Sequence, residues 1–312
     1  MTFALIATGG TIACTTVADG SLVPTVSGQQ LVESLDDSPA DAQSFDVIEF
    51  RQLDSSSITL ADLDELLACV QSQLARDEIE GVLITHGTDS MEETALALSL
   101  FDLGSGPIVV TGAQRSFDHP QGDGPRNLRD ALELLRTKNS GVWVQFGGRT
   151  IAGRGARKWH TSHLNGFEEL PVGEPLHAPL PLAPLAPHTV SIIAAYPGSD
   201  AALVDASLTH SSGLIIEALG SGNMGEEMGA GVARALEAGI PVVISTRTPY
   251  GKTKLAYGGA GGGATVGELG AVASGAFRAG QARILLAAAL ATGTPVADIF
   301  AQAPATRTYT AD

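Results

Sequence analysis

The segment FALIATGGTIA, residues 3–13, decides the fold of this chain because a short apolar run leads directly into two glycines and a threonine. The apolar residues 3–7 have the length of a buried strand. Gly9 and Gly10 permit a tight turn with positive φ and a close approach of a ligand to the backbone. The segment therefore predicts a strand of a parallel sheet that presents the hydroxyl of Thr11 at its carboxyl end.

A second segment, GVLITHGTDSMEE at residues 81–93, has the same arrangement of a buried strand followed by glycine and threonine. If the two strands are neighbours in a parallel sheet, Thr88 and Asp89 face the same crevice as Thr11. A threonine hydroxyl attacks a carbonyl only when a neighbouring base takes its proton. Each segment alone has another explanation, since the first could bind phosphate and Asp89 could cap the helix that begins near Ser90. Together the two segments favour amide hydrolysis.

Short apolar runs alternate with helical patterns through the first half of the chain, which is typical of βαβ units. Strands are predicted at residues 3–7, 46–50, 81–85, 107–111 and 141–146, and helices at 29–34, 59–76, 90–100 and 127–137. The segment Thr59-Leu60-Ala61-Asp62 is a capping box that supports a helix start. The predicted fold class is α/β, with a larger N-terminal domain built on a mostly parallel sheet flanked by helices.

A second, smaller C-terminal α/β domain is predicted after a proline-rich stretch at residues 171–187, because neither a helix nor a central strand tolerates that composition. We expect an N-terminal domain at 1–180, a linker at 181–189 and the C-terminal domain at 190–312. The C-terminal pattern has strands at 190–195, 213–218 and 241–245, and helices at 201–206, 225–238 and 281–292. The glycine run GGAGGG at 258–263 predicts a flexible loop.

The composition argues against several classes of partner. With 34 acidic and 18 basic residues among 312, the formal charge of −16 would repel nucleic acid and anionic membrane surfaces. No basic and apolar leader precedes the first strand, which predicts a cytoplasmic location. The two cysteines, Cys14 and Cys69, lack metal spacing, and so do the loop histidines His119, His160 and His163. We therefore expect no metal site.

The sequence resembles the L-asparaginase/glutaminase family, whose two signatures read TGGTIA and THGTDTMEE. The first matches residues 8–13 completely, and the second matches residues 85–93 except that Ser90 replaces a threonine. The likeness continues through five further segments that span nearly the whole chain: residues 111–115, 123–127, 154–158, 220–223 and 273–275. The resemblance implies a bacterial-type threonine amidohydrolase that needs no cofactor.

The resemblance also implies roles for particular residues. Thr11 corresponds to the primary nucleophile, and Thr88, Lys158 and Asp89 correspond to a relay of hydroxyl, amine and carboxylate. A lysine that is partly desolvated beside a hydroxyl can work as a base, which agrees with that assignment. Lys158 could instead be a solvated surface lysine. His86 is not expected to be the base, because strand alternation directs its side chain away from its neighbours.

Four further residues are implied to bind the substrate. Ser55 corresponds to the serine that holds the α-carboxylate, next to Ser56, although Ser55 could also belong to a helix N-cap region. Asp89 is expected to bind the α-ammonium group. Ala113 corresponds to a residue whose carbonyl contacts the leaving amide, and Asn223 to one that reaches a neighbouring subunit's site. The family assembly implied is therefore a homodimer or homotetramer.

The chain departs from the family pattern in two places. Many members have a tyrosine in the mobile loop after the first signature, whereas residues 14–30 contain none. Leu22, Val23 and Pro24 stand near that position and predict a lid that closes by apolar packing. Other members have an acidic residue from the neighbouring subunit in the loop occupied here by the glycine run, and Glu268 is nearby but shifted.

The resemblance implies hydrolysis of the small molecule L-asparagine to L-aspartate and ammonia, with side activity on L-glutamine. Three alternatives remain: a catalytically weak amino-acid sensor of the same fold, an amidotransferase subunit that acts on misacylated tRNA, and a nucleotide-dependent oxidoreductase. The last rests on GSGNMG, residues 220–225, which fits G-x-G-x-x-G after a strand. The next predicted strand ends without an acidic residue to hold a ribose. The amidotransferase subunit would be expected to carry some basic surface.

Overall fold

The computed structural model describes residues 2–35 and 44–302. Contacts divide the chain into two compact units, Met1–Glu169 and Leu170–Asp312. The predicted linker, residues 181–189, falls within the second unit, where Leu185 is fully buried despite the surrounding prolines. Its role as a linker stays a prediction.

The first unit contains fourteen α-helices and β-strands among its described residues, besides short 3-10 helices. In chain order they are β1 (Thr2–Gly9), β2 (Cys14–Thr16), β3 (Leu22–Pro24), α1 (Gly28–Glu33), β4 (Ser44–Leu53), α2 (Leu60–Leu74), β5 (Ile79–Thr85), α3 (Met91–Leu100), β6 (Pro107–Thr111), α4 (Gly124–Thr137), β7 (Gly141–Phe146), β8 (Arg149–Ala152), β9 (Ala156–Lys158) and β10 (Phe167–Glu169). Six of the strands form one sheet in the order β4-β1-β5-β6-β7-β8, parallel except for β8. This mostly parallel sheet confirms the predicted α/β class.

The strands β1 and β5 are direct neighbours, and Ala7 pairs with Thr85 at their carboxyl ends. Their central residues, such as Ile6 and Ile84, are fully buried because the sheet has side chains packed on both faces. The two threonine-glycine segments therefore leave the sheet side by side, which is the arrangement that the sequence predicted for a shared crevice.

Helix α2 begins as expected from its capping box. The Thr59 hydroxyl accepts the N–H of Asp62 at 3.2 Å, and the Asp62 carboxylate accepts the N–H of Thr59 at 2.8 Å. Helix α3 follows Thr88 and Asp89 directly, with Ser90 at its N-cap position. Most residues of α3 are buried, so this helix lies within the unit and holds the second signature in place.

The second unit has a four-stranded parallel sheet in the order β11-β12-β13-β14. Its elements are β11 (Val190–Ala194), α5 (Ala202–Ser207), β12 (Gly213–Ala218), α6 (Glu226–Glu237), β13 (Val242–Thr246), α7 (Gly263–Glu268), β14 (Val272–Ala273), α8 (Ala279–Thr292) and α9 (Val296–Phe300). The predicted strands and helices of this half are all present. The short elements α7, β14 and α9 were not predicted, since two to six residues carry too little periodicity.

The second half of the glycine run, from Gly261, is packed tightly, in contrast to the flexible loop that the composition predicted for the whole run, whereas Gly258 and Gly259 have open space around them. The N–H of Met224 donates to the carbonyl of Gly261 at 2.9 Å, and a Cβ on Gly261 would lie 2.2 Å from the Met224 carbonyl oxygen. A Cβ on Gly229 would likewise lie 2.3 Å from the Ala260 carbonyl oxygen. These glycines serve a close backbone approach. The backbone at 260–261 therefore covers the turn before α6, where a dinucleotide enzyme would bind pyrophosphate.

Candidate active site

The turns after β1 and β5 touch through their glycines. A Cβ on Gly10, whose φ is +78°, would lie 2.3 Å from both the Cα and the nitrogen of Gly87. The hydroxyl of Thr8 donates to the carbonyl of Thr85 at 2.9 Å and ties the two strand ends together. Only residues without side chains permit this backbone contact, which explains the glycine at each of these two positions of the signatures.

A cavity of about 210 Å³ opens beside this contact. It is smaller than the roughly 300–1,000 Å³ of sites for drug-sized ligands and suits a ligand of metabolite size. The lining comes from the two turns, the β2–β3 hairpin and the end of β4: Gly10, Thr11, Cys14, Leu22, Pro24, Leu53, Asp54, Ser55, Gly87, Thr88 and Asp89. Thr11, Thr88 and Asp89 therefore share one cavity.

The amine of Lys158 lies against both residues of the second signature. Its Nζ donates to Thr88 Oγ1 at 2.8 Å and to Asp89 Oδ1 at 2.7 Å. The lysine side chain is 17% exposed, whereas the Asp89 side chain is 59% exposed and open to a ligand. This geometry differs from that of a solvated surface lysine, and it brings a hydroxyl, an amine and a carboxylate into one hydrogen-bonded group.

Ser55 is buried at the start of a short 3-10 helix that follows β4. Its Oγ accepts the backbone N–H of Asp89 at 3.1 Å, and its carbonyl accepts the Ser90 hydroxyl at 2.6 Å. A Cβ on Gly87 would lie 2.4 Å from the same Oγ. Ser55 thus connects the end of β4 to the second signature. The residue that caps this short helix is Asp54, not Ser55.

Three of the expected substrate-binding residues do not line this cavity. Ser56 is exposed, and its N–H donates to Asp54 at 3.2 Å. Ala113 is buried after the end of β6. Asn223 belongs to the second unit, where its Oδ1 accepts the N–H of Gly263 at 3.4 Å. Their proposed roles rest on the family resemblance alone.

The cavity also includes two side chains for which the sequence predicted no role at this site. Asp54 and Cys14 both line it. Burial, followed by the charge of Asp54, raises the pKa of the Cys14 thiol, so that thiol stays protonated and is a poor nucleophile at neutral pH. The position of Asp54 next to Ser55 in the sequence could have indicated that it lines the cavity. An acidic residue before a run of serines is, however, usually a helix cap.

The β2–β3 hairpin forms the apolar side of the cavity. Leu22 and Pro24 line the cavity, and Leu22 keeps 48% of its surface exposed. The hairpin is anchored where the Thr16 N–H donates to Asp118 and the Phe117 N–H donates to the Cys14 carbonyl, both at 2.8 Å. Closure of this hairpin by apolar packing stays a prediction.

His86 is fully buried and outside the cavity lining. Its Nδ1 lies 2.7 Å from the Gly87 carbonyl, which can only accept, so Nδ1 carries the proton. Nε2 lies 3.0 Å from the Thr94 hydroxyl and accepts from it. Burial lowers the pKa of His86 to about 4. This neutral imidazole is hydrogen-bonded within the protein and is a structural residue. This agrees with the expectation that His86 is not the base.

Two further features concern the described residues: clusters of metal-binding side chains and helices that could span a membrane. Among residues 2–35 and 44–302, no group of three or more His, Cys, Asp or Glu residues has the arrangement of a metal site. None of the helices in those ranges is long and apolar enough to cross a membrane.

A polar cavity at the carboxyl ends of neighbouring parallel strands is the site of an α/β enzyme. Two family models match the chain, "Asparaginase, N-terminal" over residues 2–178 and "Glutaminase/Asparaginase C-terminal domain" over residues 189–301. The chain belongs to the asparaginase family, and it is therefore a hydrolase.

Two of the relatives match nearly the whole chain. A probable L-asparaginase of Deinococcus radiodurans is 34% identical over 95% of this chain and 95% of its own length. An L-asparaginase of Bacillus licheniformis is 30% identical over 93% of this chain and 95% of its own. A glutamyl-tRNA(Gln) amidotransferase subunit of Pyrobaculum aerophilum is 30% identical over 80% of this chain and 66% of its own. The fold matches a thermostable L-asparaginase from Thermococcus kodakarensis with a TM-score of 0.82, at 24% identity over 98% of both chains.

Proposed function

We propose that this protein hydrolyses L-asparagine to L-aspartate and ammonia, with a weaker activity on L-glutamine. The observation that supports the proposal best is the contact of Lys158 with Thr88 and Asp89 at the wall of a cavity that also holds Thr11. Relatives named L-asparaginase that match the chain almost end to end support the choice of substrate.

In the first half-reaction, Thr11 Oγ1 attacks the carbonyl carbon of the side-chain amide. A C–O ester bond forms, the C–N bond breaks, and the proton that leaves Thr11 is delivered to the departing ammonia. The developing oxyanion is stabilised by backbone N–H groups of the turns near Thr11 and Thr88, and the loss of one such donor costs about 3 kcal/mol in other enzymes. The small cavity holds the amide next to the hydroxyl.

In the second half-reaction, water attacks the ester carbon, the ester C–O bond breaks, and the proton returns to Thr11 as L-aspartate leaves. Lys158, when neutral, accepts a proton through Thr88, because its Nζ lies within hydrogen-bond distance of the Thr88 hydroxyl. Asp89 orients the amine and stabilises its charged form. The same relay can serve in the first half-reaction as the base that takes the proton of Thr11. It then takes over the role of the tyrosine that the lid segment lacks.

A free amino acid is the proposed substrate because the cavity offers partners for both of its charges. The exposed carboxylate of Asp89 suits the α-ammonium group, and the buried hydroxyl of Ser55 suits the α-carboxylate. Ser56, Ala113 and Asn223 are kept as further substrate-binding candidates on the resemblance. A cytoplasmic location and a homodimer or homotetramer are likewise kept as proposals.

The amidotransferase activity is the second candidate function, because proteins named as glutamyl-tRNA(Gln) amidotransferase subunits are among the relatives. A tRNA-linked substrate would meet a chain with a formal charge of −16, which disfavours a polyanionic partner. A sensor without catalysis is disfavoured by the complete hydroxyl, amine and carboxylate group.

The test is ammonia release measured side by side with L-asparagine, L-glutamine, D-asparagine and a small peptide amide. We expect the highest kcat/KM with L-asparagine. Thr11→Ala and Thr88→Ala should each reduce turnover by orders of magnitude without loss of the fold, and Thr137→Ala, on the exposed end of α4, serves as the matched control. Near-wild-type ammonia release by either active-site variant would overturn the proposed mechanism, and equal rates on all four amides would overturn the proposed substrate.

A further inference from the structure

The carboxylate of Glu92, in the first turn of α3, makes one contact that the proposed chemistry does not use. Its Oε2 accepts the backbone N–H of Lys158 at 2.6 Å. Helix α3 follows Thr88 and Asp89 without interruption. One hydrogen bond therefore connects the segment that carries the amine to the segment that carries its two partners.

The strand that carries Lys158 is short and lies outside the six-stranded sheet. β9 is three residues long and pairs with β10 in a two-stranded sheet. The next residue, Trp159, directs its N–H to the Gly166 carbonyl at 2.9 Å, on the β10 side. Because successive N–H groups of a strand point to opposite sides, the N–H of Lys158 points toward α3 and needs an acceptor there. Glu92 supplies it.

The surroundings of Glu92 favour a hydrogen-bonding role over a purely electrostatic one. Burial, followed by the neighbouring charge of Glu93, raises the pKa of Glu92 well above its ordinary range, against the opposing effects of Lys158 and Arg157. Arg157 itself is buried and paired with Glu168. A protonated carboxyl still accepts an N–H through its carbonyl oxygen, so the contact with Lys158 does not depend on the charge.

We propose that Glu92 is a positioning residue for Lys158, which holds the backbone of β9 at the distance from α3 that places the amine between Thr88 and Asp89. The proposal rests on the proposed function, in which Lys158 is the base. A displacement of about 1 Å in such a group can lower the rate by about 100-fold. The bond from Glu92 acts on the main chain of Lys158 and therefore fixes the starting point of the whole side chain.

Two substitutions separate the reach of Glu92 from its ability to ionise. Glu92→Gln removes the ionisable group and keeps an acceptor oxygen at the same distance, whereas Glu92→Asp keeps an ionisable carboxyl group and withdraws the oxygen by one methylene. We expect Glu92→Gln to retain most of kcat for L-asparagine. We expect Glu92→Asp to lower kcat by about 10- to 100-fold with a much smaller change in KM. Circular dichroism checks that both variants fold.

The position of the amine is also measured without turnover. Trace acetylation with acetic anhydride, followed by peptide mapping, compares Lys158 with the other three lysines, Lys138, Lys252 and Lys254. Glu92→Asp should increase the labelling of Lys158 relative to the exposed Lys252, because the amine is released from Thr88 and Asp89, and Glu92→Gln should not.

The outcomes are distinct. Unchanged kcat or unchanged Lys158 labelling in Glu92→Asp would overturn the positioning role, and so would a folded Glu92→Gln enzyme as inactive as Glu92→Asp. If the wild type releases no ammonia from any amide, the proposed function fails, while the labelling ratio still decides the role of Glu92.

Discussion

Replacement of His86 by asparagine should make the free energy of unfolding of the first unit fall less steeply as the pH is lowered. His86 is fully buried, and burial lowers its pKa from the ordinary 6.5 to about 4. In the unfolded chain the same imidazole takes up a proton near pH 6.5. Between these two values the unfolded state binds more protons than the folded state, so stability falls as the pH drops from about 6.5 to about 4.

The size of the effect follows from the shift. A difference of roughly 2.5 pKa units corresponds to about 3 kcal/mol at the low end of this window, lost with a limiting slope of about 1.4 kcal/mol per pH unit. Asparagine has no titrating group, and its amide can still donate to the Gly87 carbonyl in place of Nδ1. The Thr94 hydroxyl loses its acceptor in this variant, which lowers the free energy of unfolding by about 1–3 kcal/mol at every pH. The predicted difference therefore lies in the slope against pH.

Urea unfolding between pH 4.5 and 7.5, followed by tryptophan fluorescence, measures that slope. Both tryptophans, Trp143 and Trp159, lie in the same unit as His86, so the signal reports on the unit concerned. His210→Asn, at an exposed histidine of the second unit, is the control. The wild type and the control should lose stability below pH 6.5 more steeply than His86→Asn. Parallel slopes in all three proteins would refute the buried, neutral imidazole.

Three further results are expected. Gly10→Ala should destabilise the first unit more than Gly20→Ala. Both glycines have positive φ, which strains an alanine, but only the Cβ on Gly10 meets the backbone of Gly87. Equal urea midpoints would contradict the close contact. Ser55→Ala should raise KM for L-asparagine by about 10-fold or more with a smaller effect on kcat, because a hydrogen bond to a charged group contributes about 1.5–3 kcal/mol; an unchanged KM would remove Ser55 from the carboxylate site. A monomer isolated by sizing and light scattering should be inactive, and full activity in that monomer would exclude a shared site.

Much of the fold was predictable because the sheet is buried on both faces. The strand β6 and the part of β5 that follows Gly81 are continuous apolar runs bounded by glycines, and the helices between the strands show regular spacing. The edge strand β4 extends beyond its predicted end at residue 50 because Arg51 and Gln52, which continue it, are polar and exposed and give no apolar signal. The strands β8 to β10 are three or four residues long and leave no periodic signal.

The site residues that lie within the two signature segments were predictable from the sequence. The contacts that depend on tertiary packing were not. Thr11, Thr88 and Asp89 followed from strand ends, and their shared cavity follows from the pairing of β1 with β5. The contact of Glu92 with Lys158 joins residues 66 positions apart, and nothing in the local sequence of either indicates it. The flexible-loop prediction for residues 258–263 fails at Gly261 and Gly262, because composition alone does not distinguish a flexible glycine from one that permits close packing.

The most direct test of the proposed relay is kcat/KM for L-asparagine in the wild type, Lys158→Met and Lys252→Met. The amine of Lys158 contacts both Thr88 and Asp89, and a general base contributes about 10²- to 10⁴-fold to a rate, so Lys158→Met should lose activity by at least that lower factor. Lys252→Met, at an exposed lysine, should match the wild type. Near-wild-type hydrolysis by a folded Lys158→Met enzyme would contradict the relay.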